Sequence, residues 1–567
     1  MPCQVPFLCR LFSVAAVTWS VCGADTNDQT ARQPIRPEID SARENCHRIF
    51  NAVNSAGRQW GSGLNHNGFS FFSAVIPAGT LFYHGTHHDF PPSTPDWLAF
   101  EIEHAETFAT RSTAPSRRHG GGDGGGDDDE GGAYERRQGM HHQKTLRRSK
   151  SSQRDTHEEE KIEDDERRDD GHVLSKDDQG YLHTYQTSRD IALLYADGMS
   201  GAKTSMGTLD SQDLILRENK TGNSGFRDET GRAADICRII QPWGYAGLIR
   251  MEAGYEIIYC DFHTNLRLVS VRRTLSTADR VGNNTLHVAQ YARAVTERYD
   301  GVGADRLKID FSSMVSGFFF PINISNTDPL RPDLIRLGAA DVEDLEDIKA
   351  YLPRVASQSR RFTVDWQAVT DMVIRRLANR LALMASGEEL SDFEFIDELE
   401  TTVLIYIDAP PPSGDSSPIQ ASGLRQNPIE LCTQHFLLPS TLFRDEWTES
   451  DKLIHAAIES VMHDTCRTLL SIRTSLVRAS PKNTNNDYVK ASDEDDDLGA
   501  AVAVGRRDVK HLLQRLAWSE WRKVRPCPIG DVMFSVMWPL GFEEDYWSPG
   551  CRSLRDISWK REGYWRY

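Results

Sequence analysis

Between residues 111 and 178 the chain reads GGGDGGGDDDEGG, then RRSKSSQRD and EEEKIEDDERRDD, with almost no large apolar side chain. A stretch of that composition cannot bury enough surface to offset the entropy of ordering it, so no fixed fold is expected there. The ordered material is thereby forced into blocks on either side. A long surface insertion leaves its flanks free to meet, so residues 68–110 and 179–275 are read as one domain interrupted by the insertion. Dibasic pairs at Arg117-Arg118, Arg136-Arg137, Arg147-Arg148 and Arg167-Arg168 lie open to secretory processing proteases.

The flanking blocks carry strand patterns. Gly68 to Val75 is aromatic and strand-like, and Pro77-Ala78-Gly79 is a turn signal. Leu81, Phe82 and Tyr83 then run into His84-Gly85-Thr86, as expected of a short buried strand that delivers its last side chain to a site, with a glycine where something approaches the backbone closely. After a loop at His87 to Pro92, Trp97 to Phe100 reads as a short strand. It opens a helix with Ile102, Ala105, Phe108 and Ala109 on one face. Residues 180–189 alternate with a period of two, Ile191 to Tyr195 is apolar, and Glu256 to Phe262 is a strand opened by a carboxylate. Asp210 to Leu216 and Asp235 to Pro242 look helical.

A polar leader over residues 25–45 precedes a first helix over 44–58. Residues 276–479 read as mainly helical, with the clearest stripes over 365–386 and 450–478, most simply core-facing. An acidic linker is expected over 480–500. Residues 501–567 hold six of the 12 tryptophans (Trp518, Trp521, Trp538, Trp547, Trp559, Trp565), which suit domain docking or a ligand platform.

The formal net charge of -18 argues against double-stranded nucleic acid as a partner, because backbone binding needs a basic footprint. Arg10, the apolar run Leu11 to Val21 and the small residues Cys22-Gly23-Ala24 fit a secretory signal peptide over residues 1–24, too short to span a bilayer. No other stretch reaches membrane-span length. Export would leave seven cysteines and hence at least one unpaired thiol within the chain, and Cys527 with Cys551 is the favoured pair. Asn219, Asn283 and Asn323 begin glycosylation sequons. His84, His87 and His88 match no standard metal spacing, so no metal is expected.

The strand ending in His84-Gly85-Thr86, the Trp97 to Phe100 strand running into a helix, and the carboxylate-led strand at Glu256 resemble the His-Gly branch of the ADP-ribosyltransferase superfamily. The resemblance implies a split antiparallel sheet holding NAD in the N-terminal domain, which together with the mainly helical C-terminal half read above makes an α+β fold. It implies that Glu256 stabilises the oxocarbenium-like ribose left by nicotinamide and that His84 bonds a ribose hydroxyl. Gly85 and Thr86 would line the cofactor, and Tyr83 or Trp97 would stack on nicotinamide; the acceptor is unspecified. The plainer reading is a non-enzymatic secreted binding or structural glycoprotein. A hydrolase ranks third, since neither G-x-S-x-G nor H-E-x-x-H is present.

Overall fold

The computed structural model describes residues 32–109, 179–218, 228–252, 254–275, 303, 306–326, 328, 331, 333–387, 390–408, 427–480, 496–523, 526–538, 540–553 and 564–566. The expected signal peptide, the insertion at 111–178, Asn219, Asn283 and Trp559 lie outside these residues.

The fold is mixed helix and sheet, and Ile35 to Tyr567 form one compact unit. Its centre is a large curled, mainly antiparallel sheet of nine strands: β1 (Ser70–Ile76), β2 (Leu81–Thr86), β3 (Asp96–Ala99), β4 (Tyr181–Thr187), β5 (Ile191–Ala196), β6 (Gly247–Met251), β7 (Tyr255–Tyr259), β8 (Leu266–Arg273) and β9 (Lys308–Ser316). Their order is β8-β4-β2-β3-β7-β6-β5-β1-β9, with β5 and β6 the parallel pair. The two blocks flanking the insertion pair directly, β2 with β4 over six residue pairs. The sheet nearly divides between β2 and β3, which are joined by the single pair Tyr83–Ala99.

Helices α1 (Ile39–Glu44), α2 (Cys46–Ser55) and α3 (Gln59–Leu64) precede the sheet; α4 (Ile102–Glu106) follows β3, and α5 (Glu229–Ile240) precedes β6. The polar leader is therefore helical from Ile39, and the second of the two middle helices starts earlier than its apolar residues suggest, where Asp228 caps the amide of Gly231. Ser211–Leu216 is helical as expected, in the wider π form.

The second half contributes α6 (Val342–Ala356), α7 (Trp366–Ala385), α8 (Asp392–Val403), α9 (Pro428–Thr441), α10 (Glu449–Ala479) and α11 (Asp496–Leu516). The division at residue 276 does not describe a boundary in space. Strand β9 comes from the helical half yet closes the sheet edge against β1. Asp451, near the start of α10, accepts from Ser312 Oγ of β9 at 3.0 Å and from Trp366 Nε1 of α7 at 2.8 Å, which stitches helices to sheet. The expected acidic linker is already helical at residues 496–500.

Among the described residues there are three disulfides, Cys237–Cys260, Cys432–Cys466 and the expected Cys527–Cys551, with Cys46 left as a buried thiol. Among the described residues no helix is long and apolar enough to cross a membrane.

Candidate functional site

Side chains alternate across a strand, so register decides which residues meet. Tyr83, Ala99, Glu256 and Arg250 lie on one rung running through β2, β3, β7 and β6, and their side chains share one face of the sheet. Trp97, two residues before Ala99, belongs to that face, as does Gly85. His84 and Thr86 belong to the other. The six residues singled out in the sequence are therefore split, and His84 does not join Glu256 in one cleft.

On its own face His84 stacks edge-on with His183 and tilts against Phe262. Its Nδ1 donates to the Trp97 carbonyl at 2.8 Å, and Nε2 lies 3.8 Å from Asp96 Oδ2. His183 donates from Nε2 to the His88 carbonyl, and burial lowers its pKa to about 4. This is a mainly aromatic neighbourhood with Asp96 at its edge. Gly85 is needed for a reason internal to the fold: a Cβ there would sit 1.9 Å from the Ala105 carbonyl, so what approaches the backbone is α4. Thr86 Oγ1 accepts a long bond from the His88 amide. Tyr83 packs with Ala99, Ala105 and Leu182 on the opposite face.

The Glu256 face holds the charges. Strand β7 begins at Tyr255, one residue before Glu256, which is 3% exposed. Its Oε1 accepts from Arg250 Nε at 2.7 Å, and its Oε2 lies 4.0 Å from His104 Nε2 of α4. Arg250 also donates to Glu229 of α5 and, at 3.3 Å, to Gln212 of the π-helical turn. Arg232 grips Asp213 with two bonds of 2.8 Å and reaches Glu229 as well. Lys203, in the loop after β5, lies 2.5 Å from Glu252 and 3.8 Å from Glu229. Cys237–Cys260 ties α5 to the end of β7 and so fixes two walls of this cluster.

Burial and partners compete at every group. For Glu229 burial raises the pKa, but Arg250, Lys203 and Arg232 together pull it down to about 2. For Glu252 burial wins over the nearby Lys203, Glu256 pushes in the same direction as burial, and the pKa rises to about 7. Burial lowers the pKa of His104 against the pull of Glu256, which favours its neutral imidazole. Two carboxylates, one near neutrality and one held by an arginine, beside a neutral imidazole make a pair able to stabilise positive charge and to move a proton.

His104, Glu252 and Glu256 offer ligand atoms within 4.8 Å of one another. An imidazole with two carboxylates suits a divalent cation by donor type. Here, however, Lys203 and Arg250 already hold the two carboxylates, so a cation would have to compete with both.

Arg250, Glu252, Glu229, Lys203 and His104 were not among the residues picked out from the sequence. The signal for two of them is visible in GLIRMEAGYEIIYC, where an arginine and two glutamates interrupt apolar strands. A charge inside such a run must find a buried partner or face a site.

Residues 32–288 match the family model described as the YPL277C N-terminal domain. The chain is 24% identical over 582 residues to the uncharacterized protein YOR389W of Saccharomyces cerevisiae, covering 88% of this chain and 83% of that relative. It is 33% identical over 242 residues to the uncharacterized protein YPL277C of the same yeast, covering 40% of this chain and 43% of that relative. No solved structure matches. The stretch similar to the YPL277C N-terminal domain contains β1 to β8 and every charged residue of the cluster around Glu256.

Proposed function

We infer that the chain is an exported enzyme that cleaves the bond between nicotinamide and ribose in NAD, passing ADP-ribose to water or to another acceptor, with the Glu256 face as its site. The observation that carries the reading is that Glu256 shares its face with Trp97 and Tyr83 and turns its second carboxylate oxygen towards His104. In the reaction the C–N bond breaks and its electron pair leaves with nicotinamide. The Glu256 carboxylate stabilises the positive charge on the ribose, and the acceptor's oxygen forms the new bond. Glu252, with its pKa near 7, is the group suited to take the acceptor's proton. Trp97 offers a ring for nicotinamide, and its indole Nε1 is buried without a hydrogen-bond partner among the described residues. His104 takes the hydroxyl-binding part that the resemblance assigns to His84. Three disulfides support an oxidising compartment.

The test is nicotinamide release with an NAD-dependent thermal shift. Glu256→Gln should lower turnover by about a hundredfold or more and leave binding nearly intact. His104→Ala should weaken binding, and His84→Ala should do neither. Loss of binding in His84→Ala alone would move the site to the opposite face. No thermal shift at millimolar NAD in the wild type would sink the enzyme.

A second reading, a non-enzymatic exported glycoprotein, is favoured by the charge balance of the cluster. Asp213, Glu229, Glu252 and Glu256 each face a cation among Lys203, Arg217, Arg232 and Arg250, with Asp235 and Asp228 also at Arg217, as a purely structural core would also require. On either reading the mature chain should begin near Asp25. Asn323, exposed and followed by Ile324 and Ser325, should carry glycan in secreted material, as peptide mass mapping would register.

A further inference from the structure

The last segment of the chain is stapled to itself more than to the body. Strands β10 (Asp531–Phe534) and β11 (Gly550–Ser553) pair as a hairpin, and Cys527–Cys551 closes its open end. Between them come buried Val536, Met537 and Leu540 and the short helix α12 (Glu543–Trp547). Arg552 Nη2 donates to Asp545 at 2.9 Å, and Trp565 Nε1 returns to the Leu540 carbonyl at 3.0 Å. Phe534, Val536, Met537 and Leu540 join the apolar core of the body, and side-chain contacts accompany them. Tyr546 donates to the Leu64 carbonyl at 3.2 Å, Tyr564 meets His66 Nε2 at 2.7 Å, and Trp538 lies over Lys203, whose Nζ is 5.1 Å from the ring centroid.

Trp538 touches the charged cluster at its outer edge. The side chains of Arg232 and Arg250 are fully enclosed, whereas that of Lys203 is 14% exposed. Lys203 therefore stands at the way in to Glu252 and Glu256, and the indole covers it. Upstream, the segment is pinned by Trp518, which stacks on Phe50 and Trp521, and by Trp60 Nε1 donating to the Ser519 carbonyl at 3.1 Å. A self-bonded piece closed by its own disulfide opens as a unit, since the contacts inside it outlast those beneath it.

We propose that the disulfide-closed segment 526–553 is a flap that gates the Glu256 face, with Trp538 as its plug on Lys203. The proposal concerns regulation of the site inferred above and rests on that reading for its purpose, but its test needs no NAD. Acetylation of Lys203 by N-hydroxysuccinimidyl acetate, followed by peptide mass spectrometry, is compared with that of exposed Lys452 and of Lys349, which is paired with Glu218. Trp538→Leu, and separately Cys527→Ser with Cys551→Ser, should speed labelling of Lys203 about tenfold relative to Lys452 and leave Lys349 unchanged. Equal Lys203 labelling in wild type and both variants overturns the flap. So does a matching rise at Lys349, which would mean general loosening. Should the serine variant fail to fold, Trp538→Leu, which keeps the disulfide, decides. A gated Lys203 without any NAD effect would leave the flap standing and remove only the transferase.

Discussion

The two faces of the sheet around β2, β3 and β7 are built from opposite materials. One presents His84, His183, Tyr185 and Phe262, a largely aromatic surface in which burial lowers the pKa of His183 to about 4. The other presents arginines and carboxylates that are almost wholly buried, where Arg250, Lys203 and Arg232 hold Glu229 charged while burial pushes Glu252 up to about 7. The lesson is that the histidine most conspicuous in the sequence and the glutamate paired with it by resemblance answer to different surroundings. Chemistry requiring a stabilised charge belongs on the second face.

The sharpest way to break this contrast is to remove the cation shared by two carboxylates. Arg250→Met would leave Glu229 and Glu256 without their main partner and should cost about 3–5 kcal/mol, read from the denaturant midpoint. A cost under about 1 kcal/mol would mean that water already reaches the cluster. Next, Cys237→Ser with Cys260→Ser should cost about 3 kcal/mol, because the bridge closes a loop across 23 residues. It should disturb amide exchange in α5 and β7 more than in β4; uniform loosening would deny the bridge its local role.

Acidity separates the faces by sign. His183 has a folded pKa lowered to about 4, so its contribution is present above its ordinary value near 6.5 and is lost as pH falls towards 4. Glu252 has a folded pKa raised to about 7, so its contribution is present below its ordinary value near 4.5 and is lost as pH rises to 7. Buried Asp197, also raised to about 7 by burial, acts in the same direction as Glu252. Over pH 4.5–6.5 the two trends oppose. Glu252→Gln should make stability climb more steeply with pH, and His183→Gln should make it fall; identical slopes in both variants would erase the distinction. Smallest is His84→Ala, which loses the bond to the Trp97 carbonyl and should cost about 1 kcal/mol, with the charged face untouched. Altered acetylation of Lys203 in that variant would show the faces to be coupled.

Much of the sheet was legible because periodicity is local. The alternation over residues 180–189 became the strand Tyr181–Thr187, the apolar run at Ile191 to Tyr195 became Ile191–Ala196, and Thr448, which caps the amide of Asp451, starts the long helix one residue from its expected position. Cys527 with Cys551 could be paired because they are neighbours in a short tail. By contrast, Cys432–Cys466 joins two helices whose packing no local pattern specifies. Strand β9 escaped notice because its apolar residues lie in a stretch otherwise dominated by helical stripes.

What the sequence determined by itself was the kind of each element and the supply of chemistry: an interrupted sheet, a histidine at a strand end, and charges set inside apolar runs. Which of these meet was decided by tertiary register. A shift of one residue turns a strand's side chains to the other face, so the single pair Tyr83–Ala99, continued by Ala99–Glu256, sends His84 one way and Glu256 the other. The partners of Glu256 come from residue 104 in α4 and residue 250 in β6. They meet because burying an arginine and a carboxylate together costs far less than burying either alone, a preference that acts only once the chain has closed around them.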